Sequence, residues 1–226
     1  MTQLDKAKEL GCTFAYLPLE ETKFSPVVVM HPFFENAFLA DKDGIFNALV
    51  EEERYNKYVE DFCKRLNKCK NIEEILMFVR KSYRLTYLKF LRSENIVTTK
   101  ECGNLLAKVW DTIEVINHDI NVPQSQVLKW IKNADKNVLM NEKELEIYQN
   151  IEDEITVYRG CENEKELKGI SWTIDENVAK WFAKRFNKNG ECFKAKINKK
   201  YVIGYLECEK EIILDFHYIT DVEQVC

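Results

Sequence analysis

The spacing of apolar residues changes once along this chain, near residue 154, and that change limits the folds open to it. Before it, apolar side chains recur at helical intervals: Tyr55, Tyr58, Val59, Phe62 and Leu66, then Ile72, Ile75, Leu76, Val79, Tyr83, Tyr87 and Phe90. Residues three and four apart share one helix face, so each set predicts an amphipathic helix, the second a long one. After the change come short β-branched and aromatic runs, "ITVYRG", "GISWT", "ECFKAKI", "YVIGYL" and "EIILDF". Such runs, bounded by glycines and charged turns, predict strands. Helices first and strands afterwards, without regular alternation, predict an α+β protein in place of a doubly wound parallel sheet.

Local signals refine the pattern. "TTKE" at 98–101 is a capping box, with Thr98 as N-cap and Glu101 reaching back, and "NEKE" at 141–144 opens another helix. Pro123 suits a first helical position. Asp175 caps a helix whose inner face is expected to carry Val178, Ala179, Phe182 and Phe186, with Trp181 and Phe182 in the core. Phe193, Ala195 and Ile197 alternate with Cys192, Lys194 and Lys196, as in a half-buried strand. The first forty residues read as irregular, with "FSPVVVMHPFF", which holds two prolines, as a short strand or buried loop. In "WDTIEVINHDINV", Asn117 ends a helix and Asp119 stabilises a turn; the alternative has Trp110, Glu114, Asn117 and Asp119 lining a cleft. Arg84 and Lys89 read as solvated charges, and His31, His118 and His217 as structural.

The net charge of −5 argues against a protein that binds nucleic acid by charge alone, although Lys194, Lys196, Lys199 and Lys200 could form a local basic face. Eight cysteines include no C-x-x-C pair and have three histidines to help them, so no metal site is expected. No apolar run approaches ~20 residues and the first turns carry charges throughout, so neither a membrane span nor a signal peptide is expected. The expectation is a cytoplasmic protein with free thiols, and its Lys and Asn richness suits an AT-rich bacterial or phage genome. The glycine-rich phosphate loops, H-E-x-x-H and G-x-S-x-G are all missing, which argues against Rossmann, P-loop, zincin and α/β-hydrolase chemistry.

Three short pieces of the strand-rich half look chemical together: "TVYRG" with Arg159 at a strand end, "GISWT" with Ser171, and "YLECEKEIILD" with Glu207, Glu209 and Glu211 at alternate positions. If that last segment is extended, the three carboxylates point to one face. Alternation alone allows two Glu-x-Glu registers, Glu207 with Glu209 or Glu209 with Glu211; the apolar run that starts at Ile212 favours the second. An Arg on a strand, a Ser-x-Thr step and Glu-x-Glu before an apolar strand, in this order, resemble the mono-ADP-ribosyltransferases of the arginine–serine–glutamate class, which includes clostridial toxins and related bacterial and phage proteins. "SWTIDENVAKWFAKRF" is similar to that family's stretch after its serine. The resemblance spans roughly residues 140–215, and Trp172 departs from it where many members have a small residue.

The periodicity gives a helical region at residues 1–95, expected to serve as support or for target recognition, packed on a domain at 96–226 for which the resemblance implies catalysis and a split, two-sheet mixed β core. The resemblance implies transfer of ADP-ribose from NAD+, as substrate, to a side chain of a target protein, with arginine favoured because Glu209 stands where other members have Gln. The chemistry asks for such groups: nicotinamide leaves as a neutral ring, so a carboxylate that stabilises an oxocarbenium-like ribosyl cation replaces a general acid. Glu211 is expected in that role, Glu209 at the acceptor and Ser171 holding Glu211. Arg159, Gly160, Ser171, Trp172 and Thr173 are expected to bind NAD+, with Arg159 at the pyrophosphate and Gly160 allowing close backbone approach. Each residue alone has a plainer explanation: a solvated arginine, a wall tryptophan, or glutamates that guard an edge strand. The rival functions are an NAD+ glycohydrolase with water as acceptor, and a non-catalytic inhibitor of the same fold that grips a host protein.

Overall fold

The computed structural model describes residues 1–113, 119–162, 164–186 and 189–225, with only the backbone of residues 164, 165 and 186. The chain is mixed α and β. It divides into two compact units, residues 1–115 and 116–226.

The first unit holds helices α1 (Gln3–Ala15), α2 (Glu52–Leu66), α3 (Ile72–Phe78), α4 (Arg84–Ser93) and α5 (Thr99–Val109). Two antiparallel hairpins, β1 (Glu20–Thr22) with β2 (Ser25–Met30) and β3 (Phe38–Asp41) with β4 (Gly44–Asn47), complete it. The opening segment is therefore not irregular. Thr2 and Asp5 form a capping box for α1, a signal hidden because Asp stands where Glu is usual. Tyr87 donates its hydroxyl to the Ala7 carbonyl at 2.7 Å, tying α1 to a core that includes Leu66, Ile75, Leu88 and Leu106. The expected boundary near residue 95 lies inside this unit, because α5 packs on α3 and α4.

The expected long helix from Ile72 to Phe90 breaks into two. Val79 and Arg80 are extended, since the Arg80 amide donates to the Pro32 carbonyl at 2.9 Å and its guanidinium to the Val29 carbonyl at 3.1 Å. Arg84 is not a solvated charge: it is 6% exposed, and its Nε donates to the carbonyls of Leu76 and Val79 at the end of α3, where a cation suits the helix dipole. His31 is buried and structural. Its Nδ1 accepts the amides of Phe33 and Phe34, and its ring stacks on Phe34.

The second unit begins with α6 (Gln124–Lys132), α7 (Lys136–Leu139) and α8 (Glu142–Gln149). Pro123 is the N-cap of α6 and not its first residue. Asp119 braces the preceding turn, as expected, by accepting the amides of Asn121 and Val122; Glu114, Asn117 and His118 lie outside the described residues. The strands are β5 (Glu154–Cys161), β6 (Ser171–Thr173), β7 (Glu191–Asn198), β8 (Val202–Leu206), β9 (Glu211–Leu214) and β10 (Thr220–Gln224), with α9 (Glu176–Phe186) between β6 and β7.

These strands form one sheet in the order β10-β7-β5-β6-β9-β8, with antiparallel pairing at each junction, where two mixed sheets were expected. The sheet nevertheless splits. β5 and β7 pair along eight residues, but β5 and β6 meet only at Tyr158 and Thr173. Three strands stand on either side of that join.

α9 covers one face of the join. Its inner face is Ala179 and Ala183, packed on Cys192, while Trp181 is 56% exposed with the Arg185 guanidinium over its ring. Of the expected inner face Ala179 is buried, Val178 and Phe182 are half-buried, and the side chain of Phe186 lies outside the described residues; Trp181 is not in the core, because the helix sits almost on the strand backbone. A Cβ at Gly160 would lie 1.9 Å from the Ala179 carbonyl oxygen, and one at Gly190 would lie 1.8 Å from that of Ala183. Cys192 is buried under the helix, so β7 is covered on both faces over that stretch. Of the four lysines of the expected basic face, Lys194 pairs with Glu223 and Lys196 with Glu154 and Asp221, while Lys199 donates to the Gln149 carbonyl and Lys200 lies over the Tyr201 ring. The outer edge of β8 is capped by side chains. Lys136 donates to the Ile203 carbonyl, Tyr148 to that of Val202, and Glu144 accepts the Glu207 amide. No helix among the described residues is long and apolar enough to cross a membrane.

Candidate functional site

The three residues singled out in the sequence lie on three neighbouring strands: Arg159 on β5, Ser171 on β6 and Glu211 on β9. Arg159 stands one residue past the only pair that joins β5 to β6, where the two strands diverge. Its side chain fills the gap that they leave. Nε donates to the Glu166 carbonyl at 2.9 Å and Nη1 to the Ser171 carbonyl, so guanidinium bonds replace ladder bonds. Nη2 has no hydrogen-bond partner among the described residues. Burial pushes this guanidinium below its ordinary pKa, while Cys161, Glu166 and Glu211 oppose the shift. Glu211 is thus within electrostatic reach of Arg159.

Glu211 is half-buried and opens β9, flanked by Thr173 on β6 and Leu206 on β8. In an antiparallel ladder directly opposed residues share a face. Thr173 faces Glu211 and Ser171 faces Ile213, so Ser171, Thr173 and Glu211 look the same way. Trp172 looks the other way. It is 2% exposed, pairs with Ile212, and its indole N–H donates to the Gly169 carbonyl at 2.9 Å. It is a core residue, closed to a stacking ligand. Gly160 has its open side filled by the α9 backbone, which accounts for the glycine without any ligand.

The glutamate segment departs furthest from expectation. Residues 205–215 are not one extended strand with three carboxylates on a face. β8 and β9 are the two arms of a hairpin, with Leu206 opposite Glu211. Glu207 is helical, Glu209 and Lys210 are left-handed with φ of 62° and 46°, and Glu211 alone is on the strand. The tip is bolted to the turn between β6 and α9. Thr173 Oγ1 donates to the Glu209 carbonyl at 2.8 Å and accepts the Asp175 amide at 3.0 Å. The Ile174 amide donates to the Lys210 carbonyl at 3.2 Å, and Lys210 Nζ pairs with Asp175 at 2.8 Å. That pair lowers the Asp175 pKa and raises that of Lys210. Thr173 therefore braces the glutamate loop, with both hydroxyl functions occupied, and Glu209 stands exposed at its tip.

Sequence reasoning missed Gly169, although it opens the "GISWT" run. A Cβ there would lie 2.2 Å from Cζ of Arg159, so the guanidinium rests against the bare Cα. A glycine opening a short strand that pairs beside the arginine-bearing one is the signal that could have found it.

The arrangement offers a hydroxyl-bearing residue and a half-buried carboxylate on one face of adjacent strands, with an exposed carboxylate two residues upstream. The cationic fork of Arg159, which follows Tyr158 and so starts from the opposite face, reaches them through the gap between β5 and β6. That set suits a ligand carrying both an anionic group and a centre that turns cationic. Compared with known proteins, the chain matches no family model, no curated protein and no solved structure.

Proposed function

We propose that the protein transfers ADP-ribose from NAD+ to an arginine side chain of a target protein. The observation that carries this reading is the adjacency of Arg159, Ser171 and Glu211 on β5, β6 and β9, although up to fifty-two positions separate them (211 − 159). The arginine also holds the join, but packing a six-stranded sheet does not require a glutamate at the start of an otherwise apolar strand. Arg159 would hold the pyrophosphate through Nη2, which has no hydrogen-bond partner among the described residues. Glu211 would stabilise the ribosyl cation as the C1′–N bond breaks and its electron pair neutralises the pyridinium. Ser171, on the same face, would hold the ribose or the Glu211 carboxylate. Glu209 would receive the acceptor guanidinium and take its proton as the new C1′–N bond forms. The fold implied is the split β core of that transferase family, with the split at the β5–β6 join.

The test is Glu211→Gln, which keeps the shape and removes the charge. Incubated with labelled NAD+ and a bacterial lysate, the wild type should label protein, and the variant should lose at least about a thousandfold in rate with its circular dichroism unchanged. Full activity in the variant ends the assignment. Nicotinamide release without labelled protein would favour the hydrolase.

A further inference from the structure

We propose that Gly169 and Trp172 are positioning residues: together they seat the Arg159 guanidinium so that Nη2, which has no hydrogen-bond partner among the described residues, is held ready for a ligand's anionic group. The inference rests on the reading of this site as an NAD+ site. Three surfaces make the seat. The Glu166 carbonyl takes Nε and the Ser171 carbonyl takes Nη1. The third surface is Gly169, where a Cβ would fall 2.2 Å from Cζ, 2.4 Å from Nη1 and 2.5 Å from Nη2. Such approaches are far inside van der Waals contact, so only a residue without a side chain lets the guanidinium lie there. The backbone at Gly169 is not left-handed, so conformational freedom is not the reason for the glycine.

Gly169 is itself held from two sides. Its amide donates to the Leu167 carbonyl at 2.8 Å, and its carbonyl accepts the Trp172 indole N–H at 2.9 Å. Trp172 is buried on the face away from Ser171 and Glu211, and its indole N–H ties it to the Gly169 carbonyl beneath the guanidinium. The tryptophan that sits inside the serine motif thereby fixes the segment from which two of the three surfaces come. An arginine seated this way presents a preset Nη2 amino group and loses little freedom when an anion binds.

The test has two arms. The first is a double-mutant cycle on stability with Gly169→Ala and Arg159→Ala, read as the urea midpoint. Gly169→Ala should lower the midpoint in the wild-type background and leave it unchanged in Arg159→Ala. Equal losses in both backgrounds would overturn the seat. The second arm is Trp172→Phe, which keeps the apolar ring and removes the N–H. Its KM for NAD+ should rise about tenfold, the equivalent of one charge-assisted hydrogen bond, while kcat for nicotinamide release changes little. A fall in kcat at constant KM would overturn the positioning role. If wild-type protein fails to bind NAD+ in equilibrium dialysis, the ligand role falls with the site reading, and the cycle decides separately whether the seat exists.

Discussion

Glu209 has a backbone that its side chain does not favour. At φ 62°, followed by Lys210 at φ 46°, it is one of two consecutive left-handed residues that carry a Cβ. Each costs about 1 kcal/mol against glycine. Glu209→Gly should therefore raise stability by about 1 kcal/mol in urea denaturation, while cutting transfer to arginine and sparing nicotinamide release. A variant less stable than wild type would mean that the side chain supports the loop. The turn was illegible in the sequence because no Gly, Asn or Pro marks it and the alternating glutamates imitate a strand. What bends the chain there is Thr173 and Asp175, some thirty-five residues away. The start of β9 was legible, because the apolar run fixes where the strand begins and Glu211 is its first residue; the pairing of Glu209 with Glu211 on one strand face was not borne out.

Elements with local punctuation were read correctly: both quoted capping boxes open helices, and the five quoted runs are strands. Contacts made by the smallest residues were not. Hydrophobicity ranks Phe182 above Ala183, yet α9 turns its alanines inward because Gly160 and Gly190 let it approach the strand backbone. Backbone packed on backbone cannot relax around an added methyl group. Gly160→Ala should lower stability by about 3 kcal/mol, read as a fall in the thermal midpoint, since its Cβ would stand 1.9 Å from a helix carbonyl. A loss of under about 0.5 kcal/mol, the range of an ordinary surface change, would show that the helix shifts freely. The break between α3 and α4 escaped for a related reason: the partner that extends Arg80 is the Pro32 carbonyl, remote in sequence.

The whole molecule should be sensitive to mild acid. Burial lowers the His31 pKa to about 4, helped by Arg80 and opposed by the carbonyls of Phe14, Ala15 and Leu17. The unfolded chain, with a histidine near pH 6.5, binds the proton first, so stability rises with pH across this window. The contribution is complete above about pH 6.5 and gone below about pH 4, and amounts to roughly 3 kcal/mol. The isoelectric point of about 5.5 lies inside the same interval, where repulsion between molecules vanishes. Urea midpoints should fall from pH 7 to pH 4 with precipitation strongest midway. His31→Phe should flatten the slope at a lower overall stability; an unchanged slope would assign the sensitivity elsewhere.

Load applied across the sheet is not shared evenly. Where β5 and β7 are laced along eight residues, tension is spread; between β5 and β6 it falls on one residue pair and one guanidinium. The six strands are two three-strand boards with a single stitch and a clasp. Arg159 is that clasp, and any force that draws on its guanidinium, from either side, acts on the seam itself.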